Sequence, residues 1–283
     1  MSTLSNKTVV ITGASRGIGL AIAERVAADG ANVAVLAKTD EPHPQLPGTV
    51  HTAVEAVEAA GGHGLAVVCD IRDEQQVDDA VAHVVDHFGG IDVLVNNASA
   101  ISLTDTQNTP IKRFDLMHQI NQRGTFLVSQ KCVEHLKHAD NPHVLTLAPP
   151  LDIQSKWFEP HVAYSMAKYG MSLCVLGMAA EFADDGIAFN ALWPRTGIAT
   201  AAIDLIGGAE MRHACRKPTI VADAAHAILT RDSREFSGQF CLDDNVLFEA
   251  GVRDFDSYAV TPGATLWRDM FVPDDDKPPS DKG

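Results

Sequence analysis

Thr8-Val9-Val10-Ile11-Thr12-Gly13-Ala14-Ser15-Arg16-Gly17-Ile18-Gly19 begins seven residues after the start of the chain. Thr8–Ile11 is wholly β-branched and reads as a buried strand. An amphipathic helix is expected over Ile18–Asp29. The glycines between them allow a tight turn and let a pyrophosphate approach the backbone. Free N–H groups at the helix start favour that anion. A glycine-rich turn alone is common. Lying between a strand and a helix, it has the context that dinucleotide binding requires.

The same alternation continues outward from this unit. Further strands are expected at Asn32–Ala37, Gly64–Cys69, Asp92–Val95, His143–Leu147, Ala188–Trp193 and Gly238–Leu242. Helices are expected at Val50–Ala60, Glu74–Phe88, Ile111–Lys137, Val162–Phe182 and Val221–Thr230. The pattern predicts an α/β fold: a doubly wound, mostly parallel seven-stranded sheet with helices on both faces. One domain is expected over residues 1–250, followed by an extension over 251–283. Residues 38–49, with Pro42, Pro44, Pro47 and Gly48, read as an extended loop. Residues 269–283, with Asp274-Asp275-Asp276 and Pro278-Pro279, read as a poorly ordered acidic tail.

Composition narrows the function. The 283 residues carry 22 Lys and Arg against 37 Asp and Glu, a formal charge of −15. That balance disfavours nucleic acid or an anionic membrane as the main partner. No apolar run reaches the ~18 to 20 residues of a membrane span. The five cysteines (Cys69, Cys132, Cys174, Cys215, Cys241) are scattered, which suits a reduced, cytoplasmic protein. His83 and His87 share a helical face with Asp86, but no third ligand is evident, so no metal is expected.

The second strand ends at Leu36-Ala37-Lys38, without the acid that often binds a ribose 2′-hydroxyl. Arg16 and Lys38 instead suit a 2′-phosphate, which favours NADP(H). NAD(H) is the alternative. Later, Tyr164-Ser165-Met166-Ala167-Lys168 places a phenol and an ammonium one helical turn apart. A nearby ammonium would lower the phenol's pKa, and the pair could move a proton to or from a carbonyl or alcohol oxygen.

Taken together, these motifs resemble the short-chain dehydrogenase/reductase family over roughly residues 6–245. The matching pieces are Thr12-Gly13-x-x-x-Gly17-x-Gly19, Asp70, Asn96-Asn97-Ala98, Asn121-Gln122-Arg123-Gly124 and Tyr164-x-x-x-Lys168. The resemblance implies a Rossmann-type fold and hydride transfer between a nicotinamide cofactor and a carbonyl or alcohol. It implies Tyr164, Lys168 and Asn121 as catalytic: Tyr164 as general acid/base, Lys168 at the nicotinamide ribose, Asn121 in a proton relay. It implies cofactor contacts at Thr12, Gly13, Ser15, Arg16, Gly17, Ile18, Gly19, Lys38, Asp70, Ile71, Asn97, Ala98, Tyr164, Lys168, Pro194, Ile198 and Thr200. It also implies a homodimer or homotetramer built on Ile111–Lys137 and Val162–Phe182.

A finer resemblance, to the hydroxysteroid dehydrogenase-like protein 2 group, rests on Lys38-Thr39, His43-Pro44, Pro47-Gly48-Thr49, Asn96 to Thr104 and Ala191-Leu192-Trp193-Pro194-Arg195-Thr196. Multidomain members carry a sterol-carrier domain. This chain, ending Ser280-Asp281-Lys282-Gly283, is expected to be a standalone, bacterial reductase domain. Two departures stand out. Pro194-Arg195 replaces the usual Pro-Gly. The fifth strand runs Val144-Leu145-Thr146-Leu147-Ala148-Pro149-Pro150, with no serine at the catalytic position. Ser99, Asp152 and Ser155 are the polar substitutes nearby in sequence. The missing serine leaves two other readings open: a non-catalytic or weakly active NADP(H)-binding sensor or scaffold, and an enzyme without net redox turnover. Trp157, Phe158 and Trp193 are expected near the walls of a hydrophobic pocket. Residues 201–217 (Ile203, Leu205, Ile206, Gly207, Gly208) are expected to form a mobile lid.

Overall fold

The β-branched runs form β1 (Thr8–Thr12), β2 (Asn32–Ala37), β3 (His63–Val68), β4 (Val93–Asn96), β5 (His143–Thr146), β6 (Ala188–Trp193) and β7 (Phe240–Leu242). The computed structural model describes residues 3–43 and 46–279, without the side chains of Leu205, Ile206 and Ala209. All strand pairs are parallel, in the order β3-β2-β1-β4-β5-β6-β7. The central strands are buried along their whole length, as helices on both faces require.

One face carries α1 (Gly17–Ala27), α2 (Val50–Ala59), α8 (Thr219–Leu229) and α9 (Asp243–Glu249), which bury Ile22, Val57, Ile228 and Leu247. The other carries α3 (Glu74–Phe88), α5 (Thr125–Leu136) and α6 (Val162–Glu181), which bury Val84, Val133 and Val175. Strand order reverses between β1 and β4. This opens a crevice beyond their carboxyl ends, where ligands of doubly wound sheets bind.

Three sequence expectations change. The helix expected over Ile111–Lys137 is broken. It runs as α4 (Ile111–Met117), a π-helical stretch His118–Gly124, then α5. The expected lid is α7 (Ala201–His213), kinked at Gly208. Leu205 and Ile206 lie outside the described side chains.

The third change is the acidic tail, which packs at its start, while Asp274, Asp275, Lys277 and Pro278 stay exposed. Phe271 and Val272 are fully buried. The Phe271 ring lies 5.4 Å from Tyr169, 5.9 Å from Trp193 and 6.0 Å from Trp157. Its φ of 67° is strained for a bulky residue, and the enclosing rings hold it there. Charge suggested disorder, but the run Trp267 to Val272 supplies an aromatic and apolar anchor inside the polar extension. Ser280 to Gly283 lie outside the described residues.

Candidate active site

Thr12 ends β1 with its hydroxyl buried. Oγ1 accepts the N–H groups of Asn97 (3.0 Å) and Ala98 (3.1 Å) and donates to the Val95 carbonyl (3.3 Å). Asn97 Nδ2 donates to the carbonyls of Thr12 (2.8 Å) and Gly13 (3.1 Å). These bonds fasten the glycine loop to the end of β4. A Cβ at Gly19 would lie 2.4 Å from Asn97 Nδ2, so glycine alone permits this packing. The N-cap residue of α1, Arg16, makes no side-chain cap. The first-turn N–H groups are therefore left for an anion.

The loop faces a cavity of about 860 Å³. Gly13, Ser15, Arg16, Gly17, Ile18, Lys38, Asp70, Ile71, Asn97, Ala98, Pro194, Ile198 and Thr200 line it, as do Tyr164 and Lys168. Two expected contacts do not. Thr12 and Gly19 brace the loop from behind, because the bonds above turn them away from the cavity. Arg16 Nη2 donates to Thr39 Oγ1 (3.2 Å) and the Gly48 carbonyl (3.1 Å), while Nε is buried without a partner. The Asp70 carboxylate sits below its usual range, chiefly through its hydrogen bond with Arg72 and more weakly through Lys38. A glycine floor, an uncapped helix start and an orphaned guanidinium nitrogen together fit a phosphate-bearing dinucleotide.

At the other end of the cavity, α6 presents the phenol and the amine. Tyr164 is buried, and no hydrogen bond to its hydroxyl is found among the described residues. Lys168 Nζ donates to the Leu147 carbonyl at 2.6 Å and lies 5.0 Å from the Trp193 ring. Burial pushes the Tyr164 phenol well above its usual range, and the Asp269 carboxyl pushes it further. Burial pulls Lys168 down to about 7, against an opposing pull from Asp269. The expected lowering of the tyrosine by its lysine does not contribute: burial and Asp269 set the direction. Desolvation disfavours both charges, so the site favours a neutral phenol.

Asn121 does not reach the cavity. Its amide is spent on the loop after β4, with Nδ2 donating to Ala100 O (3.0 Å) and Oδ1 accepting Ala100 N–H (2.7 Å). It sits in the π-helical stretch, where the extra residue turns its side chain towards that loop.

The end of β5 explains where the serine is missing. Ala148 is buried and not on the cavity wall. Lys168 holds the carbonyl before it, and Ser172 Oγ holds the Pro149 carbonyl after it (2.7 Å). Of the three substitutes, Asp152 is occupied by Trp157 Nε1 (2.8 Å), Ser155 is exposed, and only Ser99 lines the cavity. Trp193 is on the wall as expected. Trp157 and Phe158 are not: Trp157 meets the Phe271 ring edge-on and Phe158 stacks on Tyr169.

The tail supplies wall residues that sequence reading missed: Trp267, Asp269 and Met270. Asp269 N–H donates to Arg195 O (2.9 Å), and Trp193 Nε1 donates to Met270 O (2.8 Å). An aromatic cluster within an acidic extension was the available signal. His83 and His87 stand exposed on α3, their rings 6.4 Å apart.

A family model described as short chain dehydrogenase matches residues 7–204. Among solved structures, a candidate dehydrogenase from Xanthomonas campestris is 59% identical, with a TM-score of 0.93, covering 96% of this chain and 99% of that one. A short chain dehydrogenase from Mycobacterium thermoresistibile is 53% identical, with a TM-score of 0.93, covering 99% of each chain. Hydroxysteroid dehydrogenase-like protein 2 is 56% identical in Danio rerio and 53% in Homo sapiens. Each match covers 95% of this chain and 64% of the relative, so the chain spans just under two thirds of those proteins. The parallel sheet, the glycine loop and the match over most of its length place this chain in the short-chain dehydrogenase family of oxidoreductases.

Proposed function

We propose that the chain is an NADP(H)-dependent oxidoreductase that interconverts a carbonyl and an alcohol on a largely apolar small molecule. One observation carries this reading: Tyr164 and Lys168 line the same cavity as the glycine loop. A bound nicotinamide supplies or accepts the hydride at the substrate carbon. In reduction, the neutral Tyr164 phenol gives its proton to the substrate oxygen. In oxidation the Tyr164 phenolate takes the proton of the alcohol. Lys168, fixed by the Leu147 carbonyl, holds the nicotinamide ribose and restores the proton to Tyr164.

The finer assignments have their own support. Arg16 and Lys38 line the cavity and suit a 2′-phosphate. Leu147, Trp193, Ile203 and Met270 give it apolar walls. Ile111, Phe126, Met166, Leu173 and Leu176 are exposed on α4, α5 and α6, which supports self-association as a homodimer or homotetramer. No helix among the described residues is long and apolar enough to cross a membrane. The free cysteines fit a cytoplasmic setting.

Turnover of a carbonyl panel with NADPH tests the reading. Tyr164→Phe is expected to lose ~10²–10⁴ in rate while still binding the dinucleotide. Equal turnover by wild type and Tyr164→Phe defeats it. Dinucleotide binding without turnover by wild type shifts the reading to a sensor or scaffold, which the buried Ala148 favours.

A further inference from the structure

We propose that the Asp269 carboxyl hydrogen-bonds the reacting oxygen of the substrate, in place of the hydroxyl that β5 does not supply. This rests on the hydride-transfer reading above and adds a residue from outside the helix that carries the catalytic pair.

Position comes first. Asp269 N–H donates to Arg195 O at 2.9 Å, next to the wall residue Pro194, so the backbone is fixed beside the end of β6. The side chain lines the cavity with Tyr164 and Lys168 and is partly open to it. Oδ1 accepts the Met270 N–H at 2.7 Å. The second carboxyl oxygen has no hydrogen bond among the described residues, which leaves it for a ligand. Both members of the catalytic pair feel this carboxyl. It pushes the Tyr164 phenol up and opposes the fall of Lys168.

Protonation state decides what Asp269 can do. Burial raises it to about 7, with Asp243 at the start of α9 adding and Lys168 on α6 opposing. Tyr164 on α6 and Cys215 after α7 also face it, and both are raised by its charge. A carboxyl kept neutral below that point carries an O–H. Such a donor stabilises the negative charge that builds on a carbonyl oxygen during reduction. The role suits the cavity because neither Ala148 nor Pro149, at the end of β5, has a hydroxyl or lies on the wall.

The test uses the full chain with NADPH and phenanthrenequinone as the carbonyl probe. Asp269→Ala is expected to lose ~10²–10³ in kcat with an unchanged Kd for NADPH. Asp269→Asn keeps an acceptor for Met270 and places N–H groups at the second position, so it is expected to stay within ~10-fold of wild type. Wild-type kcat is expected to fall as pH rises through about 7, where both Asp269 and Lys168 lose their protons, and the fall is expected to be shallower in Asp269→Asn, which keeps only the Lys168 step. Wild-type kcat in Asp269→Ala, or equal impairment of the Asn and Ala variants with normal NADPH binding, overturns the proposal. So does a loss in Ser99→Ala that Asp269→Ala does not share. If wild type binds NADPH but reduces no quinone, the hydride-transfer reading fails instead. Quenching of tryptophan fluorescence by the quinone, with Trp193 and Trp267 on the wall, then decides the contact: a Kd equal in wild type and Asp269→Ala removes it.

Discussion

Arg195 Nη2 donates to Asp276 Oδ1 at 2.7 Å, joining the end of β6 to the acidic tail across 81 residues. Nη1 donates to the Asp276 carbonyl (2.9 Å), and Nε to Asp244 Oδ2 (2.7 Å). Arg216 Nη1 reaches the same carboxylate at 3.2 Å. Two oddities of sequence, Arg195 after Pro194 in place of glycine and Asp276 at the end of the acidic run, are therefore two halves of one clamp. The clamp holds Asp269 and Met270 against the cavity.

Arg195→Met tests the clamp. Asp244 is fully buried, so removing one of its partners is expected to destabilise the fold by ~3–5 kcal/mol in urea unfolding. Asp276 is about one third exposed, so Asp276→Asn should cost much less stability. It should still loosen the tail, seen as faster proteolytic cleavage within residues 261–279. A tail equally resistant in both variants would show that Phe271 alone secures it.

Arg16→Ala combined with Lys38→Ala should weaken NADPH far more than NADH. Charge-assisted contacts contribute ~1.5–3 kcal/mol each, so a loss of ~10²- to 10⁴-fold is expected for NADPH when both are removed. Calorimetric titration with both dinucleotides measures it. Equal weakening would mean that Arg16 serves the loop through Thr39 and Gly48 and does not select a phosphate.

Gly48 has φ +85°, and a Cβ there would lie 2.2 Å from the Ser15 carbonyl. Gly48→Ala must push the 46–49 loop off the glycine turn. Backbone strain of ~1 kcal/mol or more is expected, with a lower melting temperature and weaker binding of both dinucleotides. A melting curve and a binding titration matching wild type would contradict this packing.

Asp243 accepts the N–H groups of Arg195 (3.0 Å) and Asp244 (2.8 Å), and its second oxygen is buried without a partner. Burial, then Asp244, raises it from 3.8 to about 7. The folded chain therefore keeps a proton between these values that the unfolded chain releases. The stability it contributes is full below 3.8 and is lost as pH rises to about 7. Asp269 acts in the same direction, and His143, lowered by burial to about 4, acts in the opposite one. The difference between wild type and Asp243→Asn isolates the single group. Asp243→Asn should gain ~2–4 kcal/mol on wild type between pH 4 and pH 7.5. Parallel urea midpoints at the two pH values would remove Asp243 as the cause.

The strands and most helices were legible because their signals are local. Thr8–Ile11 is β-branched through and through, and Val162–Glu181 carries Tyr164 and Lys168 one turn apart whatever it packs against. The glycine loop was legible for the same reason: its conformation is written in residues 12–19. Local signals misled where packing overrode them. The helix through Asn121 carries a π-helical stretch that no propensity marks. The acidic tail looked solvated by charge, yet a ring of aromatics buries Phe271 within it and Arg195 pairs with Asp276.

What the sequence determined alone was the class of fold, the order of its motifs and the pairing of phenol with amine. Each follows from backbone preferences and side-chain spacing within a few residues. What only the tertiary structure decided was which groups share the cavity and in which protonation state. Thr12, Gly19 and Asn121 lie off the cavity wall, and Asp269 lines it beside Tyr164 and Lys168. Burial first, then the Asp269 carboxyl, governs Tyr164. Those outcomes depend on desolvation and on contacts between distant segments, and neither is encoded in any local run of residues.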